Sequence, residues 1–182
     1  MDDHAPDGRG SYYLGKNYTF CEERATWALI EKTIQELTPK KVIFCGSSKG
    51  GYAALNFGLR KEGAYIIAGG PQYHLADYLN CAEDNSTYCY IVGENSPAKE
   101  SELNGRLRTI IESNQYKATQ KIYIHYSERE HTYLEHICDL LLDLKKNGYV
   151  IAEDVADYEK HSDISYYFPT YLVKTISQII GE

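Results

Sequence analysis

The sequence is short of positive charge and of long apolar runs. Its 182 residues include 19 Lys and Arg against 26 Asp and Glu, so the net charge is −7. Because phosphate binding requires a concentrated basic surface, this acidic balance argues against nucleic acid or an anionic membrane as a partner. No stretch reaches the roughly 18 to 20 consecutive apolar residues of a membrane span. The first residues have neither the basic end nor the apolar run of a signal peptide, so we expect a cytoplasmic protein.

Cysteine and the purely apolar aromatic residues are also few. The five cysteines are an odd number without metal-ligand spacing, so the sequence predicts neither a disulfide framework nor a metal site. Cys45 and Cys138 lie inside apolar segments, which favours reduced, mostly buried thiols. Tyrosine is abundant instead, with 18 Tyr against four Phe. Tyrosine suits a carbohydrate-like ligand, but it also suits a hydrated edge of the core, which is the preferred interpretation.

Short apolar runs alternate with amphipathic segments along the chain. The runs at 41–46, 64–71, 121–126 and 149–155 predict four strands, of which the first should be buried on both faces. Helical spacing predicts helices over 21–37, 50–59, 100–114, 132–147 and 164–180. We expect Gly148 to cap the fourth helix in a left-handed conformation and Pro169 to interrupt the last one. The alternation of strand and helix predicts an α/β fold, a parallel sheet with flanking helices.

The segment after the first predicted strand contains a G-x-S-x-G motif, formed by Gly46, Ser48 and Gly50. The motif alone is weak, but here a buried strand enters it and an alanine-rich helix leaves it, which is the setting of a nucleophile elbow. A nucleophile on so tight a turn needs glycine at the flanking positions, because side chains there would collide with the strand and the helix. The turn would leave the Ser48 hydroxyl at a helix N-terminus, where the Lys49 amide can donate to an oxyanion.

Two other interpretations of this motif compete with a nucleophile. A phosphate-binding P-loop requires G-x-x-x-x-G-K-[ST], and no Lys followed by Ser or Thr closes a glycine loop in this way. Lys49 lies inside the turn instead. The other alternative is a tight strand-to-helix turn in an α/β protein without catalytic activity.

A serine nucleophile needs a histidine base and a carboxylate, and in this topology they follow in the order Ser, acid, His. Five of the six histidines are set aside by their place in the chain. His4 precedes the motif, His74 follows it too soon, and His131 lies where the acid is expected. His125, inside the third strand, and His136, on the helix after it, are expected to be structural. The remaining one, His161, lies in a polar loop between the last strand and the last helix. His161 is therefore the predicted base, although a solvated surface histidine is the competing interpretation.

The acid is expected on the loop after the third strand, within residues 127–132. Glu128 and Glu130 are the candidates, with Glu130 preferred because it lies deeper in the turn, and Asp157 is the reserve. Each of them could instead be a solvated loop carboxylate, and Arg129 could pair with either glutamate. The choice of acid thus stays open at this point.

Four segments of the chain carry a resemblance to a known family. They are GSSKGG at 46–51, GPQY at 70–73, the stretch 126–133 with Tyr-Ser-x-x-Glu and Thr-Tyr, and 161–168 beginning His-Ser. Together they resemble α/β-hydrolase proteins of bacterial surface-glycan pathways, including capsular polysaccharide biosynthesis proteins and an accessory-secretion component that O-acetylates glycans on serine-rich adhesins. The resemblance spans residues 2–176, and GSSKGG is its most specific part. It implies Ser48 as nucleophile, Glu130 as acid and His161 as base, with acyl transfer or deacylation on a sugar.

The chain differs from a full α/β-hydrolase in its N-terminal part. Such folds have several strands before the elbow strand, whereas only about 40 residues precede it here. We therefore expect residues 1–182 to form a single, partial or minimal domain that lacks the N-terminal strands, with 72–120 as a cap-like insert. An incomplete sheet leaves an open edge at which a second copy or a partner chain could pair. It also leaves the source of the second oxyanion donor open.

The leading hypothesis is a serine-dependent acyl hydrolase or acyltransferase that acts on an ester, with O-acetyl groups of surface polysaccharide as the implied substrate. Tyr52, Tyr73 and His74 are expected to line the mouth of the site. No metal or organic cofactor is required. The alternative is a non-catalytic subunit that keeps the fold and serves a polysaccharide-biosynthesis or secretion complex, which the many tyrosines favour.

Overall fold

The chain divides into two compact units in a computed structural model, which describes residues 2–6, 8, 10–81, 85–94 and 96–181. One unit comprises residues 41–73 and 107–182, and the other comprises residues 1–40 and 74–106. The strands, in chain order, are β1 (Ile43–Ser47), β2 (Tyr65–Gly69), β3 (Lys121–Tyr126) and β4 (Ile151–Val155). The α-helices are α1 (Cys21–Leu37), α2 (Lys49–Gly58), α3 (Leu75–Asn80), α4 (Ser86–Val92), α5 (Pro97–Ser113), α6 (Cys138–Lys146) and α7 (Ile164–Gly181).

The four strands all belong to the unit of residues 41–73 and 107–182, and they pair in the order β1-β2-β3-β4. Every pairing is parallel, so the carboxyl ends of the strands lie along one edge of the sheet. Ser47 pairs with Gly69, and Gly69 pairs with His125. The loops that follow β1, β2 and β3 therefore begin side by side, and this is the α/β architecture that the sequence predicts.

The core beside this sheet contains residues of β2, α7 and the loop before α7. Its buried members are Ile67, Tyr158, Ile164, Phe168 and Ile179. Glycine is needed at the end of β2, because a Cβ on Gly69 would lie 2.5 Å from the ring of Phe168. The close approach fixes α7 directly against the strand whose end lies next to the G-x-S-x-G turn.

The unit of residues 1–40 and 74–106 is helical, and a polar network holds its N-terminal loop. Asp2 is buried and accepts the backbone N–H groups of Ser11 and Tyr13, each at 2.8 Å. The Ser11 hydroxyl donates to Glu22 at 2.7 Å. Because a buried carboxylate is costly unless it is hydrogen-bonded, these contacts account for the buried position of Asp2.

Two helical segments differ from their sequence-based predictions. The segment predicted as a helix over 132–147 begins with a π-helical turn, Tyr133–Ile137, before α6. The predicted interruption at Pro169 is wrong, since α7 continues through this residue. Pro169 is the sixth residue of α7, where a proline removes a single main-chain hydrogen bond. Gly148 has the predicted left-handed conformation, with φ of 83°.

The first strand is less buried than its apolar sequence predicts. Four of its residues are half-buried and Cys45 is exposed, because β1 is an edge strand of the described sheet. The prediction of mostly buried thiols is also wrong. All five cysteines are free, and Cys21, Cys81 and Cys89 are exposed as well. In the part of the chain that the structure describes, no helix is both long and apolar enough to cross a bilayer.

Candidate active site

Ser48 lies on a strained turn between β1 and α2. Its φ of 52° and ψ of −121° are conformations that side-chain-bearing residues rarely adopt. Glycine at position 46 permits this turn, because a Cβ there would lie 2.5 Å from the carbonyl group of Gly50. The Ser48 N–H donates to the Gly69 carbonyl at 2.8 Å, which ties the turn to the end of β2. The predicted strand-turn-helix arrangement around Ser48 is thus present.

His161 brings its ring to the Ser48 hydroxyl from the loop that follows β4. It begins a short 3₁₀ turn, His161–Asp163, immediately before α7. Its Nε2 atom lies 2.8 Å from Ser48 Oγ, although the two residues are 113 positions apart in the chain. The distance is that of a hydrogen bond between a serine hydroxyl and an imidazole nitrogen.

Glu130 holds the other nitrogen of the same ring. Its Oε1 lies 2.5 Å from His161 Nδ1 and accepts the Thr132 hydroxyl at 2.7 Å. Burial alone would raise the pKa of Glu130, but the hydrogen bonds from His161 and Thr132 outweigh it and hold that pKa below its ordinary value. An ionised carboxylate only accepts, so Nδ1 carries the proton and Nε2 is left to accept the Ser48 hydroxyl.

The loops that carry Glu130 and His161 are joined by a buried serine. Ser127 Oγ donates to the Tyr158 carbonyl at 2.5 Å and accepts the Tyr158 N–H at 3.2 Å. Arg129 adds exposed ion pairs to Asp157 and Glu159. We call the two Ser127–Tyr158 hydrogen bonds the brace. The brace fixes the loop after β3, which carries Glu130, against the loop after β4, which carries His161.

The other acid candidates lie elsewhere. Glu128 is exposed, and the exposed Asp157 pairs with Arg129 at 2.8 Å. Sequence alone ranked Glu130 only slightly above its neighbour, and the structure brings Glu130, rather than Glu128 or Asp157, to His161.

The residues predicted to donate to the oxyanion or to contact substrate agree only in part with their expected positions. Lys49 is the first residue of α2, directly after Ser48, so its backbone N–H belongs to the N-terminal end of that helix. Tyr52 and Tyr73 are fully buried, and the Tyr73 hydroxyl donates to Asp143 at 2.6 Å. The sequence-based expectation placed both rings at the mouth of the site, but neither ring is exposed to solvent. His74 belongs to the other unit and is half-buried. The binding roles of these three residues stay predictions.

One residue at the site has no counterpart among the predicted ones. Gln72 follows β2 and is fully buried. Its Nε2 lies 3.2 Å from Ser48 Oγ and 3.3 Å from His161 Nε2. The available signal was the Gly-Gly-Pro break at the end of the second strand, which places the next polar side chain at the same edge of the sheet as Ser48.

The described residues contain no group of three or more His, Cys, Asp and Glu that could hold a metal ion. A second histidine–carboxylate contact does occur, between His125 Nδ1 and Asp154 at 2.6 Å, within the sheet itself. Ser48 is not part of it.

The parallel strand order, the sharp turn after β1 and the polar loops after β3 and β4 define an α/β-hydrolase-like fold. No protein-family model and no curated protein matches the chain. Solved structures of this fold do match it over nearly all of its length. The chain shares its fold with capsule O-acetyltransferases, which confirms the predicted fold class.

Three of these structures illustrate the range. The capsule O-acetyltransferase of Neisseria meningitidis serogroup A has a TM-score of 0.77 and 23% identity, covering 97% of this chain and 71% of that one. A histidine variant of it was solved in complex with CoA. The Glycosylation Associate Protein (Gap123) complex from Streptococcus agalactiae gives 0.76 and 18%, over 96% and 35%. FphF, a fluorophosphonate-binding serine hydrolase of Staphylococcus aureus, gives 0.67 and 16%, over 94% and 68%.

Proposed function

We propose that this protein is a serine-dependent acyl hydrolase or acyltransferase, with Ser48 as nucleophile, His161 as base and Glu130 as the orienting acid. The observation that carries the proposal is the unbroken series of hydrogen bonds from Ser48 Oγ through His161 to Glu130, at 2.8 Å and 2.5 Å. Three residues in this order, with the serine on a strained turn, have the geometry of a nucleophile, a base and a group that orients the base.

In the proposed acylation step, Ser48 Oγ attacks the carbonyl carbon of an ester. The hydroxyl proton passes to His161 Nε2 as the bond from Oγ to carbon forms, and Glu130 stabilises the resulting imidazolium. The proton then goes to the leaving atom as its bond to carbon breaks, which is oxygen for an ester and sulfur for a thioester such as acetyl-CoA. Lys49 N–H, at the start of α2, is the proposed donor to the oxyanion.

In the second step, water or a hydroxyl of an acceptor sugar attacks the acyl-enzyme. His161 takes the proton of the attacking hydroxyl and returns a proton to Ser48 Oγ as the acyl group leaves. Water as acceptor gives hydrolysis, whereas a sugar as acceptor gives transfer. The same three side chains serve both reactions, so the choice between them depends on what binds beside the acyl-enzyme.

The proposed ester is an O-acetyl group on a surface polysaccharide. The likeness to a capsule O-acetyltransferase supports this choice, and the CoA bound in one of its structures makes acetyl-CoA the acyl donor to test. The likeness to a fluorophosphonate-binding hydrolase supports the serine chemistry. Both statements are made of those proteins, and for this chain they define the substrates to try first.

The test of the proposal is covalent labelling of the full chain with a fluorophosphonate probe, followed by identification of the modified residue. We expect one adduct, on Ser48, that is lost in Ser48→Ala. Ser47→Ala is a matched control, since it alters the neighbouring serine at the end of β1 and should keep the label. A folded wild-type chain that takes up no probe would refute the proposal.

A second candidate function is a non-catalytic subunit of a glycan-related complex. The observation in its favour is the likeness to the Gap123 complex, together with the edge position of β1, at which a second copy or a partner chain could pair. The labelling experiment separates the two candidates, because a subunit without catalysis has no need of a reactive Ser48.

A further inference from the structure

Gln72 is a buried carboxamide in contact with both atoms that would exchange a proton. Ser48 Oγ and His161 Nε2 lie 2.8 Å apart, and Gln72 Nε2 is 3.2 Å from the first and 3.3 Å from the second. The amide nitrogen therefore lies beside the hydrogen bond between nucleophile and base. Gln72 is fully buried, so its side chain is held by surrounding protein atoms rather than by water.

The lone pairs of Ser48 Oγ and His161 Nε2 favour a hydrogen-bond donor at the position of the Gln72 amide. Because Glu130 holds Nδ1–H of His161, Nε2 presents a lone pair to the Ser48 hydroxyl. Once Ser48 donates its proton to Nε2, its own lone pairs need a donor. An amide N–H meets this need, whereas an amide oxygen would face the lone pairs of both neighbours.

The chain just before Gln72 is hydrogen-bonded to two neighbouring segments. The turn before it contains Gly70, with φ of 45°, whose N–H donates to the His125 carbonyl of β3 at 2.8 Å. The residue before Gly70 is Gly69, whose carbonyl accepts the Ser48 N–H at 2.8 Å. The end of β2 is thus bonded to the turn after β1 and to β3. A donor that directly follows such a bonded strand end is already in position when charge develops, so it needs no reorganisation.

We infer that Gln72 is a fourth catalytic residue, whose side-chain N–H donates to the nucleophilic oxygen of Ser48 and stabilises the negative charge that develops on it. The inference rests on the proposed function. In acylation, negative charge builds up on Oγ as its proton moves to His161, and that charge passes to the carbonyl oxygen as the bond from Oγ to the acyl carbon forms. In deacylation, Oγ regains charge as that bond breaks and before the proton returns. Gln72 forms and breaks no covalent bond, so both steps depend on the same N–H.

Two variants remove the donor without changing the length of the side chain. Gln72→Met has no hydrogen bond to give, and Gln72→Glu places a carboxylate beside Oγ. Gln120→Met is the matched control. Gln120 is also buried, but its side-chain amide donates to the carbonyls of Gly58, Leu59 and Lys61. The readouts are the second-order rate of fluorophosphonate labelling, and the burst and steady-state rates with p-nitrophenyl acetate, at a temperature at which all variants are folded.

We expect Gln72→Met to lower the labelling rate about 100-fold, with the burst and the steady-state rates both reduced, as for loss of one preorganised donor. Gln72→Glu should be slower still, since a negative charge opposes charge on Oγ, and it serves alone if the methionine variant unfolds. Gln120→Met should keep the wild-type labelling rate although it melts at a lower temperature.

The inference is overturned if a folded Gln72 variant is labelled at the wild-type rate, or if Gln120→Met is slowed to the same extent. The second result would show a general effect of losing a buried amide. Failure of the proposed function has a different signature, because the wild-type chain itself would then carry no label at Ser48.

Discussion

Two histidine–carboxylate pairs connect the β3 and β4 regions, and they are built in opposite ways. His125 and Asp154 are cross-strand neighbours within the sheet, joined at 2.6 Å. Glu130 and His161 lie beyond the ends of the same two strands, joined at 2.5 Å. In the strand pair the ring is 2% exposed and the carboxylate 42%. In the loop pair the ring is 20% exposed and the carboxylate 1%.

The second ring nitrogen distinguishes what the two pairs can do. His161 Nε2 reaches Ser48 Oγ, whereas His125 Nε2 is buried without a hydrogen-bond partner among the residues that the structure describes. The His125 ring packs instead against three aromatic rings, those of Tyr158, Phe168 and Tyr171. A histidine held by a carboxylate is therefore no sign of catalysis by itself. It needs a nucleophile on its other nitrogen and a ring that solvent can reach.

The largest expected difference between the pairs concerns the histidines. His161→Gln should lower fluorophosphonate labelling and ester turnover by about 10⁴-fold or more, because the nucleophile loses its base. His125→Gln should leave the labelling rate of the folded protein within about threefold and lower the free energy of unfolding instead, by about 1–3 kcal/mol, through loss of a buried hydrogen bond. Equal losses of labelling in both variants would contradict the distinction.

The carboxylates should differ next. Glu130→Gln keeps the shape but favours the wrong ring tautomer, so we expect kcat to fall by about 10²- to 10⁴-fold. Asp154→Asn is the counterpart in the strand pair and should change kcat less than about twofold, since that carboxylate is partly solvated and does not touch Ser48. The measurement is steady-state hydrolysis of p-nitrophenyl acetate. A Glu130→Gln variant that turns over like wild type would remove Glu130 from the mechanism.

A smaller effect is expected at the brace between the two loops. Ser127→Ala removes the bonds to Tyr158, so the free energy of unfolding should fall by about 1–3 kcal/mol. Because the His161 loop then loses its fixed position, kcat should fall by about tenfold at temperatures where the variant is folded. Ser177→Ala is the control, an exposed serine bonded only to a helix carbonyl. Thermal unfolding and turnover, measured on the same samples, check both expectations.

The smallest effect concerns acid stability. Since the pKa of Glu130 is held below its ordinary value in the folded protein, its contribution to stability is present above that ordinary value and is lost as the pH falls through the folded one. Between about pH 5 and pH 3, the wild-type chain should therefore lose more of its free energy of unfolding than Glu130→Gln does. Urea unfolding at a series of pH values measures this, and parallel curves for the two proteins would contradict it.

The parts of the site that could be predicted from sequence are those whose structure depends on a local residue pattern. The apolar run Lys121–Tyr126 forms the predicted strand with the same bounds, and the glycines around Ser48 predict the turn that is present. The order of Ser48, Glu130 and His161 also selects residues that the structure brings together. Their catalytic roles stay predictions.

The features that could not be predicted from sequence depend on contacts between segments that are far apart in the chain. Gln72 meets Ser48 only because the register pairs Ser47 with Gly69, and no local pattern encodes this register. The exposure of Cys45 follows from the edge position of β1, which is a property of strand order. The choice of Glu130 over Glu128 likewise depends on where the chain after β4 returns.

The distance of 113 residues between Ser48 and His161 also separates them in time during synthesis. A ribosome adding roughly 5–20 residues per second adds Ser48 about 6 to 23 s before it adds His161. Under the proposed mechanism, a nascent or prematurely terminated chain carries its nucleophile without the means to activate it. Acyl chemistry would then begin only when β4 has joined the sheet and the following loop has closed over the turn, so a growing chain would not modify esters before the His161 loop has been made and folded.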